Sequence, residues 1–280
     1  MSEPSLEDPG TREQKNQLVI LALANQKGGV GKTTTAVNLG AYLARGRWRV
    51  LLVDLDPQGN ATSGLGVHRD YVRLSTYDCL LRGASVKQAA LPTELEGLDL
   101  LPSSVDLAGA EVELVDAPSR ETRVRDALEP VKGRYDWILV DCPPSLGLLT
   151  VNALAAADGV LVPIQCEFYA LEGLAQLVYT VELVKRTLNP RLHVAAVILT
   201  MYDPRTNLSE QVAGEVRRYF GSCVARTVIP RSVRLAEAPS HGKPVMLYDP
   251  HSKGARAYEA LAEELGTKLR PAAGVAGGLR

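Results

Sequence analysis

The chain has 280 residues, of which 46% are hydrophobic and 22% charged, and its formal net charge is −1. These values fit a globular protein with a sizeable core, and the near-zero net charge by itself gives no sign of a nucleic-acid partner. No apolar run approaches the roughly 18 residues of a transmembrane segment, which excludes a membrane-spanning helix.

The predicted elements alternate between strand and helix from the start of the ordered part. Residues 1–17 are polar, contain two prolines and show no period, which predicts a disordered N-terminal tail. The near-continuous apolar run Leu18–Ala24 predicts a parallel strand covered on both faces. A helix over residues 32–46 follows, then a second strand at Val50–Asp54 and a polar loop over residues 56–66.

The rest of the chain continues this alternation. Its predicted strands are short apolar runs: Leu98–Leu101, Trp137–Asp141, Gly159–Ile164, His193–Thr200 and Val224–Ile229. Its predicted helices are Leu74–Leu81, Val86–Ala90, Val105–Val115, Arg120–Leu128, Leu146–Ala157, Leu171–Leu188, Leu208–Phe220 and Lys253–Leu269. The pattern predicts an α/β fold with a single doubly wound, mostly parallel sheet and helices on both faces. Residues 18–270 form one predicted domain, and residues 271–280 are predicted to be a loose tail.

A glycine-rich stretch lies between the first predicted strand and the first predicted helix. It consists of Lys27, Gly28, Gly29, Val30, Gly31, Lys32, Thr33 and Thr34. Glycines let successive backbone N–H groups turn toward an anion, and the next helix presents its free N–H groups and positive dipole end to the same anion. The stretch therefore predicts a phosphate-binding loop in which Lys32 reaches the β- and γ-phosphates and Thr33 ligates Mg²⁺.

The loop departs from the strict P-loop pattern at one position. That pattern places a glycine five residues before Gly31, where this chain has Gln26 and then a second lysine, Lys27. Lysines at both ends of the loop supply more charge than one triphosphate needs. Lys27 either serves a nucleotide that its own loop does not hold, or it is a solvated lysine of little energetic weight.

Carboxylates follow two of the predicted strands at the sheet edge that carries the loop. Asp141 ends one strand before a Pro-Pro turn, where an Mg²⁺ ligand, direct or through water, is required. The alternative is a cap for the helix that begins near Ser145. Asp54 and Asp56 are two residues apart, so both point to one side of an extended segment. One could lie beside Mg²⁺ and the other near an attacking water, or the segment is only a structural turn.

Five ordered motifs resemble the ParA/MinD class of deviant P-loop ATPases, and most closely the chromosomal ParA (Soj) partition proteins. The motifs are residues 27–35, 54–60, 141–145, 200–203 and 229–239, and the resemblance runs from about Leu18 to Leu265. It implies ATP and Mg²⁺ as cofactors. It also implies that Lys27, Lys32 and Asp56 are catalytic, with Lys27 reaching the phosphates of a second subunit and Asp56 positioning the hydrolytic water. The residue matching Asp54 lies near the metal shell with Thr33 and Asp141.

The same resemblance places the adenine near Met201 and near the segment of Pro230, Arg231 and Ser232. It further implies that Arg205 and Arg234, together with Arg231, bind DNA without sequence preference. The charge distribution allows such a basic face, because residues 201–256 carry nine Lys and Arg against five Asp and Glu. The alternative is that these arginines only pair with neighbouring carboxylates, namely Asp203, Glu237 and Asp249.

The resemblance implies a chromosome or plasmid partition ATPase that is cytoplasmic and nucleoid-associated. Its expected partners are a second copy in an ATP-dependent homodimer, non-specific double-stranded DNA and a ParB/Spo0J-type centromere-binding protein that stimulates hydrolysis. No membrane partner is expected.

Two rival functions are weaker. A MinD-like membrane-cycling ATPase needs a C-terminal amphipathic helix with bulky apolar residues, but the segment after Arg270 is mostly Ala and Gly. An amidoligase or a reductase component of the same superfamily needs a second substrate pocket or cluster ligands. The cysteines, which show no metal-binding or CxxC spacing, predict reduced thiols instead: Cys79, Cys142, Cys166 and Cys223.

Overall fold

The computed structural model describes residues 18–167 and 172–270, so both predicted tails, 1–17 and 271–280, lie outside the described residues. A seven-stranded sheet organises this part in the order β3-β4-β2-β5-β1-β6-β7. The strands are β1 Val19–Leu23, β2 Val50–Asp54, β3 Leu91–Pro92, β4 Leu98–Leu101, β5 Trp137–Asp141, β6 Gly159–Gln165 and β7 His193–Thr200. All pairs are parallel except β3 with β4.

Helices cover both faces of this sheet, and two separate apolar clusters fill the space beneath them. The helices are α1 Lys32–Arg45, α2 Asn60–Gly64, α3 Thr76–Leu81, α4 Val86–Ala89, α5 Leu107–Glu113, α6 Arg123–Leu128, α7 Leu148–Ala156, α8 Glu172–Thr187, α9 Asn207–Phe220, α10 Val233–Glu237, α11 Val245–Tyr248 and α12 Lys253–Leu269. Every residue of β1, β2 and β5 is buried, as expected for parallel strands covered on both faces. The predicted fold class is therefore confirmed.

The register of the central strands brings the site residues to one edge of the sheet. Asp141 at the end of β5 is the Cα partner of Leu23 at the end of β1 and of Asp54 at the end of β2. The glycine loop leaves β1 at this edge, so the loop and both strand-end carboxylates share the carboxyl end of the sheet. In open α/β sheets this is the edge where ligands bind.

Two predictions about local structure are wrong. The segment predicted as a strand at Val224–Ile229 contacts β7 through backbone hydrogen bonds near both ends, but it does not continue the ladder. Glu264 of α12 takes the N–H groups of Arg226 and Thr227 at 2.7 and 2.9 Å, so these donors are not available to β7. The polar loop predicted over residues 56–66 contains the short helix α2.

Among the described residues no helix combines the length and the hydropathy needed to cross a membrane.

Candidate functional site

The glycine loop between β1 and α1 is held in shape by its own sequence and by neighbouring strands. Gly29 and Gly31 have φ values of 73° and 89°, a left-handed conformation that residues with a Cβ rarely adopt. Asn25 begins the loop: its amide donates to the carbonyl of Pro163 at 2.8 Å and its oxygen accepts the N–H of Lys27 at 3.0 Å. The loop is therefore anchored to β6 before any ligand arrives.

A second anchor comes from the end of β7. The hydroxyl of Thr200 donates to the carbonyl of Val30 at 2.8 Å. Lys32, the first residue of α1, is buried, and its Nζ donates to the carbonyl of Lys27 at 3.2 Å. Burial lowers the pKa of Lys32, although Asp141 and other nearby groups act in the opposite direction. An anion in the loop would relieve this cost of desolvation, which is the property required of a phosphate-binding lysine.

Two adjoining clefts open along the loop. The larger, of about 550 Å³, is lined by Gly28, Gly29, Gly31, Lys32, Thr33, Thr34 and, across from them, Asp56. The smaller, of about 290 Å³, is lined by residues that include Met201, Pro230, Arg231 and Ser232. Gly31, Thr34 and Met201 line both clefts, so the predicted phosphate and adenine residues form one continuous surface.

Asp141 provides the strongest indication of a cation. The side chain is fully buried, and neither carboxylate oxygen accepts a hydrogen bond from any described residue. Burial raises the pKa of Asp141 well above its usual value, and repulsion by the Asp54 carboxylate raises it further. The nearby hydroxyl of Thr33 has the opposite effect on this pKa, although it does not make a hydrogen bond of normal geometry to Asp141. Buried unpaired carboxylate oxygens beside a threonine hydroxyl fit a divalent cation with oxygen ligands.

The described residues contain no group of three or more His, Cys, Asp or Glu that could hold a metal ion alone. Mg²⁺ is commonly held by one or two carboxylates together with substrate phosphates and water, and the unpaired carboxylate of Asp141 is a group of this kind.

Asp54 makes different contacts from Asp141. Its carboxylate accepts the N–H and the hydroxyl of Thr62 at 2.8 and 2.6 Å and the N–H of Asp56 at 3.2 Å. Burial raises the pKa of Asp54 to about 6 against the opposing effect of these donors. The contacts favour Asp54 as an anchor for the loop that follows β2, and its metal role stays a prediction.

Replacement of Thr62 by Val tests this anchor. The change removes the hydroxyl that donates to Asp54 and that accepts the N–H of Ser103 at 2.9 Å. Two buried polar groups lose a partner, so we expect a loss of about 1–3 kcal/mol in the free energy of unfolding. Urea unfolding measures it. Thr62→Ser keeps the hydroxyl and should cost clearly less; equal losses for both variants would show that the hydrogen bonds contribute little.

Asp56 lies on the loop that Asp54 anchors. Its carboxylate accepts only the N–H of Gln58, at 2.9 Å, among the hydrogen bonds of the described residues. Its backbone carbonyl accepts the hydroxyl of Ser103 at 2.8 Å and the N–H of Gly59 at 2.9 Å. The backbone is fixed, Asp56 lines the larger cleft, and its carboxylate has acceptor capacity beyond the bond from Gln58. Such a carboxylate can accept a hydrogen bond from a water in that cleft.

The side chain of Lys27 contacts Glu167 and is not among the described residues that line the larger cleft. Its Nζ lies 3.6 Å from a carboxylate oxygen of Glu167, and the side chains of Lys27 and Glu167 are 36% and 44% exposed. Arg231 approaches the other oxygen of Glu167 at 3.5 Å. Exposed ion pairs of this kind contribute little, so Lys27 can leave Glu167 at small cost.

Two of the three predicted DNA-binding arginines are paired with the carboxylates named as the alternative, while Arg231 lies near Glu167. Arg205 makes a bidentate pair with Asp203 at 2.9 and 2.7 Å, and its side chain is 86% exposed. Arg234 contacts Glu237 at 2.8 Å and Asp249 at 3.1 Å. These contacts hold both guanidinium groups at the surface, and DNA binding stays a prediction.

Several cleft residues were missed because no short motif marks them. The segment after α10 closes over α1: Asn38 accepts the N–H of Val245 at 2.7 Å, and Lys243 lines the larger cleft. Two glycines allow this closure, since a Cβ on Gly242 would lie 2.6 Å from the Cα of Gly66. These two glycines lie far apart in the sequence, so no short pattern could have pointed to their contact.

Comparisons with known proteins identify the family of this chain. A family model described as an AAA domain matches residues 18–194. The sporulation initiation inhibitor protein Soj of Bacillus subtilis is 59% identical over 88% of this chain and 97% of its own length. The chromosome partitioning protein ParA of Caulobacter vibrioides is 56% identical over 91% of this chain and 96% of its own length.

Solved structures show the same fold. Cobyrinic acid a,c-diamide synthase from Mycobacterium smegmatis with bound ADP and magnesium has a TM-score of 0.81 and 40% identity, covering 91% of this chain and 96% of its own. The septum site-determining protein MinD from Pyrococcus horikoshii, complexed with Mg-ADP, has a TM-score of 0.75 and 28% identity, covering 94% of this chain and 100% of its own. The identities to Soj and ParA over nearly their whole lengths show that this chain belongs to the ParA/Soj family of chromosome-partitioning ATPases.

Proposed function

We propose that this protein is a DNA-partition ATPase whose ATP-bound dimer binds DNA without sequence preference and releases it after hydrolysis. The observation that carries the proposal is Lys27, a second lysine of the phosphate loop whose side chain lies against Glu167 and is not among the described residues that line the larger cleft. Residues 18–270 act as a single ATPase domain in this proposal.

The substrate is ATP, and the chain's own groups orient it. The N–H groups of residues 28–34 and the Nζ of Lys32 are the proposed donors to the β- and γ-phosphates. Left-handed glycines and a helix start favour anion binding, and Lys32 lines the larger cleft with three glycines of the loop. Met201, Pro230 and Ser232 line the adjoining cleft and contact the adenine. On binding, the triphosphate exchanges its hydrogen bonds with water for hydrogen bonds with donors that the loop holds in place.

Thr33 and Asp141 would hold Mg²⁺, since the buried carboxylate of Asp141 has no hydrogen-bond partner among the described residues and lies near the hydroxyl of Thr33. When bound, Mg²⁺ supplies charge neutralisation on the β- and γ-phosphates. Asp56 accepts a hydrogen bond from the water that attacks the γ-phosphorus and so keeps its oxygen in line with the leaving group. Lys32 stabilises the charge that develops on the phosphoryl oxygens.

Dimerisation follows from the charge on Lys27. A lysine buried at a subunit interface is costly without an anion opposite it. The triphosphate of a second subunit supplies that anion, so ATP joins two protomers, each of which lends Lys27 to the other. ADP supplies less negative charge, so hydrolysis weakens the dimer and returns Lys27 to Glu167.

DNA binding requires several cations on one dimer surface. Arg205 lies in the loop after β7, Arg231 lies in the segment before α10, and Arg234 lies within α10; all three side chains are exposed. Backbone phosphates outcompete exposed carboxylates when several arginines act together, since each contact also releases counterions.

The salt dependence of DNA binding follows from the number of phosphates neutralised. If a dimer contacts about four DNA phosphates, the logarithm of the association constant plotted against the logarithm of the salt concentration should have a slope of about −3.6. Fluorescence anisotropy with a duplex of random sequence, measured in ATP from low to moderate salt, checks this. Arg205→Ala should make the slope less steep by about two, because the dimer carries two copies. An unchanged slope would remove Arg205 from the DNA surface.

A ParB/Spo0J-type centromere-binding protein is the proposed stimulator of hydrolysis, and the protein acts in the cytoplasm on the nucleoid. Membrane cycling like that of MinD and amidoligase chemistry are less well supported. Identity to the partition protein Soj is 59%, against 40% to the diamide synthase and 28% to MinD.

Co-sedimentation tests the proposed function against both rivals. The protein is mixed with DNA or with anionic liposomes, in each case with ATP, with ADP or without nucleotide. We expect it to sediment with DNA in ATP only and to remain in solution with liposomes. Binding to liposomes in ATP would support the MinD-like function, and binding to neither would contradict the partition function.

A further inference from the structure

One helical segment is apolar on two opposite faces. Helix α5 and the turns at both of its ends form a continuous helical run over residues 104–116. Leu107, Ala110 and Leu114 face inward and are completely buried. The opposite side carries exposed apolar residues three, four and three positions apart, here called the valine face: Val105, Ala108, Val112 and Val115.

The valine face has the spacing of a helix contact surface. Val105, Val112 and Val115 are 70%, 75% and 51% exposed. Single exposed apolar side chains are ordinary, but a stripe that repeats at about seven residues is the pattern by which two helices pack. A helix that is apolar on both faces has a second partner to bury one of them. The buried face already packs on the core, so the valine face is the one available for a further protein.

The negative charge around the valine face indicates which kind of partner would bind there. Residues 91–129 carry ten Asp and Glu against three Arg and no Lys. Acidic residues flank the stripe itself: Asp106, Glu111, Glu113 and Asp116. Two arginines lie nearby. Arg82 is close enough to Asp106 to attract it electrostatically, and Arg120 donates a hydrogen bond to the carbonyl of Val115 at 2.7 Å. The balance stays negative, so a second copy of this face would bring acid against acid, whereas an amphipathic helix with basic flanks would be complementary.

The valine face is connected to the catalytic loop by short hydrogen bonds. Ser103, two residues before Val105, donates its hydroxyl to the backbone carbonyl of Asp56 at 2.8 Å. Its N–H donates to the hydroxyl of Thr62, which in turn holds Asp54. Ser103 directly precedes the helical run, so its hydrogen bond gives the first turn of the run a short path to the backbone of Asp56.

A second connection leads to the loop that follows Asp141. Glu111 on the helical run accepts the N–H of Leu149 at 3.4 Å, and its carboxylate lies against Gly147. The helical run and the adjacent Ser103 thus contact the segments that follow Asp54 and Asp141.

We propose that the valine face is the docking site for an amphipathic helix with basic flanks on the protein that stimulates hydrolysis, and that docking adjusts Asp56 through Ser103. This inference rests on the proposed function, because it assigns a surface to the partner named there. Apolar side chains of the partner helix pack against Val105, Val112 and Val115, and its Lys or Arg residues lie beside the flanking carboxylates.

The test measures ATP hydrolysis in the presence of DNA while the ParB-type protein of the same organism is titrated. The double variant Val105→Ser/Val112→Ser keeps the fold, because both side chains are exposed. We expect its basal rate to match wild type, and the partner concentration for half-maximal stimulation to rise at least tenfold. Tyr179→Ser on α8, which removes a side chain that is also 70% exposed, is the matched control and should behave as wild type.

A charge variant separates packing from complementarity. Asp116→Lys should raise the half-maximal partner concentration several-fold, with the difference from wild type shrinking at high salt as the charges are screened. If Asp116→Lys raises the half-maximal partner concentration by the same factor at low and high salt, the partner helix does not have the proposed basic flanks.

Photo-crosslinking at position 112 identifies the occupant. The proposed docking predicts a crosslink to the partner protein, formed only when that protein is present. A crosslink between two copies in ATP alone would assign the face to the dimer and overturn the inference. If wild type is stimulated and the double serine variant responds equally, the docking face is wrong and the partition function stands. If the partner does not stimulate hydrolysis by the wild-type protein at all, both the docking face and the proposed partition function are wrong.

Discussion

Replacement of Lys27 by Ala should lower partner-stimulated ATP hydrolysis by on the order of 10³–10⁵ while a protomer still binds ATP, because a cation supplied by a second subunit acts as an arginine finger does. The side chain of Lys27 contacts Glu167 at 3.6 Å rather than its own cleft. The loop depends on Lys27 through its backbone, whose N–H and carbonyl bind Asn25 and Lys32. Those bonds survive the substitution.

Three measurements check this expectation. Binding of a fluorescent ATP analogue should stay within a few-fold of wild type, light scattering in Mg·ATP should show only monomers, and steady-state hydrolysis should fall to background. Lys32→Ala is the contrasting variant: its Nζ lies inside the loop, so it should lose nucleotide binding itself. Lys27→Gln, which keeps most of the length without the charge, should behave as Lys27→Ala.

The opposite pattern would contradict the dimer. If Lys27→Ala still forms ATP-dependent dimers and hydrolyses ATP at the wild-type rate, Lys27 is a solvated loop residue and the second subunit contributes no charge through it. If the variant loses ATP binding together with hydrolysis, Lys27 acts within its own chain.

Much of the fold could be predicted because the central strands carry their own signal. A parallel strand covered on both faces is a continuous apolar run, and Val50–Asp54 and Trp137–Asp141 were predicted with the boundaries that the structure has. The alternation of such runs with helical patterns leaves few topologies, and parallel pairing then brings Asp54 and Asp141 to the edge where the glycine loop lies.

The errors arose where distant residues decide local structure. Val224–Ile229 is apolar enough for a strand, but Glu264, 38 positions beyond Arg226, takes two of its N–H donors. The contacts of Asp54 with Thr62 depend on how the following loop folds back, and the pair of Gly66 with Gly242 depends on two segments far apart in sequence. No periodicity encodes such contacts. The valine face shows the related limit: Val105–Val115 was predicted as a helix, but which of its two apolar sides is buried follows only from packing.

Replacement of Asp56 by Ala should produce the opposite defect from Lys27→Ala: a dimer that forms in ATP, binds DNA and dissociates from it very slowly. The phosphate loop, Lys32 and Lys27 remain intact, so ATP binding and dimerisation persist. The carboxylate that orients the attacking water is gone, and we expect hydrolysis to fall by about 10²–10⁴. Light scattering in Mg·ATP should show dimers, and DNA dissociation after dilution should slow by a comparable factor.

Asp56→Asn distinguishes loss of chemistry from loss of structure. The Asn oxygen can still accept the N–H of Gln58, which the Asp carboxylate accepts at 2.9 Å, and the backbone bonds from Ser103 and Gly59 do not involve the side chain. If Asp56 acts on water, Asn should be as slow as Ala, because an amide next to the cleft is a much weaker acceptor than a carboxylate. If Asn restores turnover while Ala does not, Asp56 shapes the loop only and another group must orient the water. Normal turnover in both variants would remove Asp56 from the reaction.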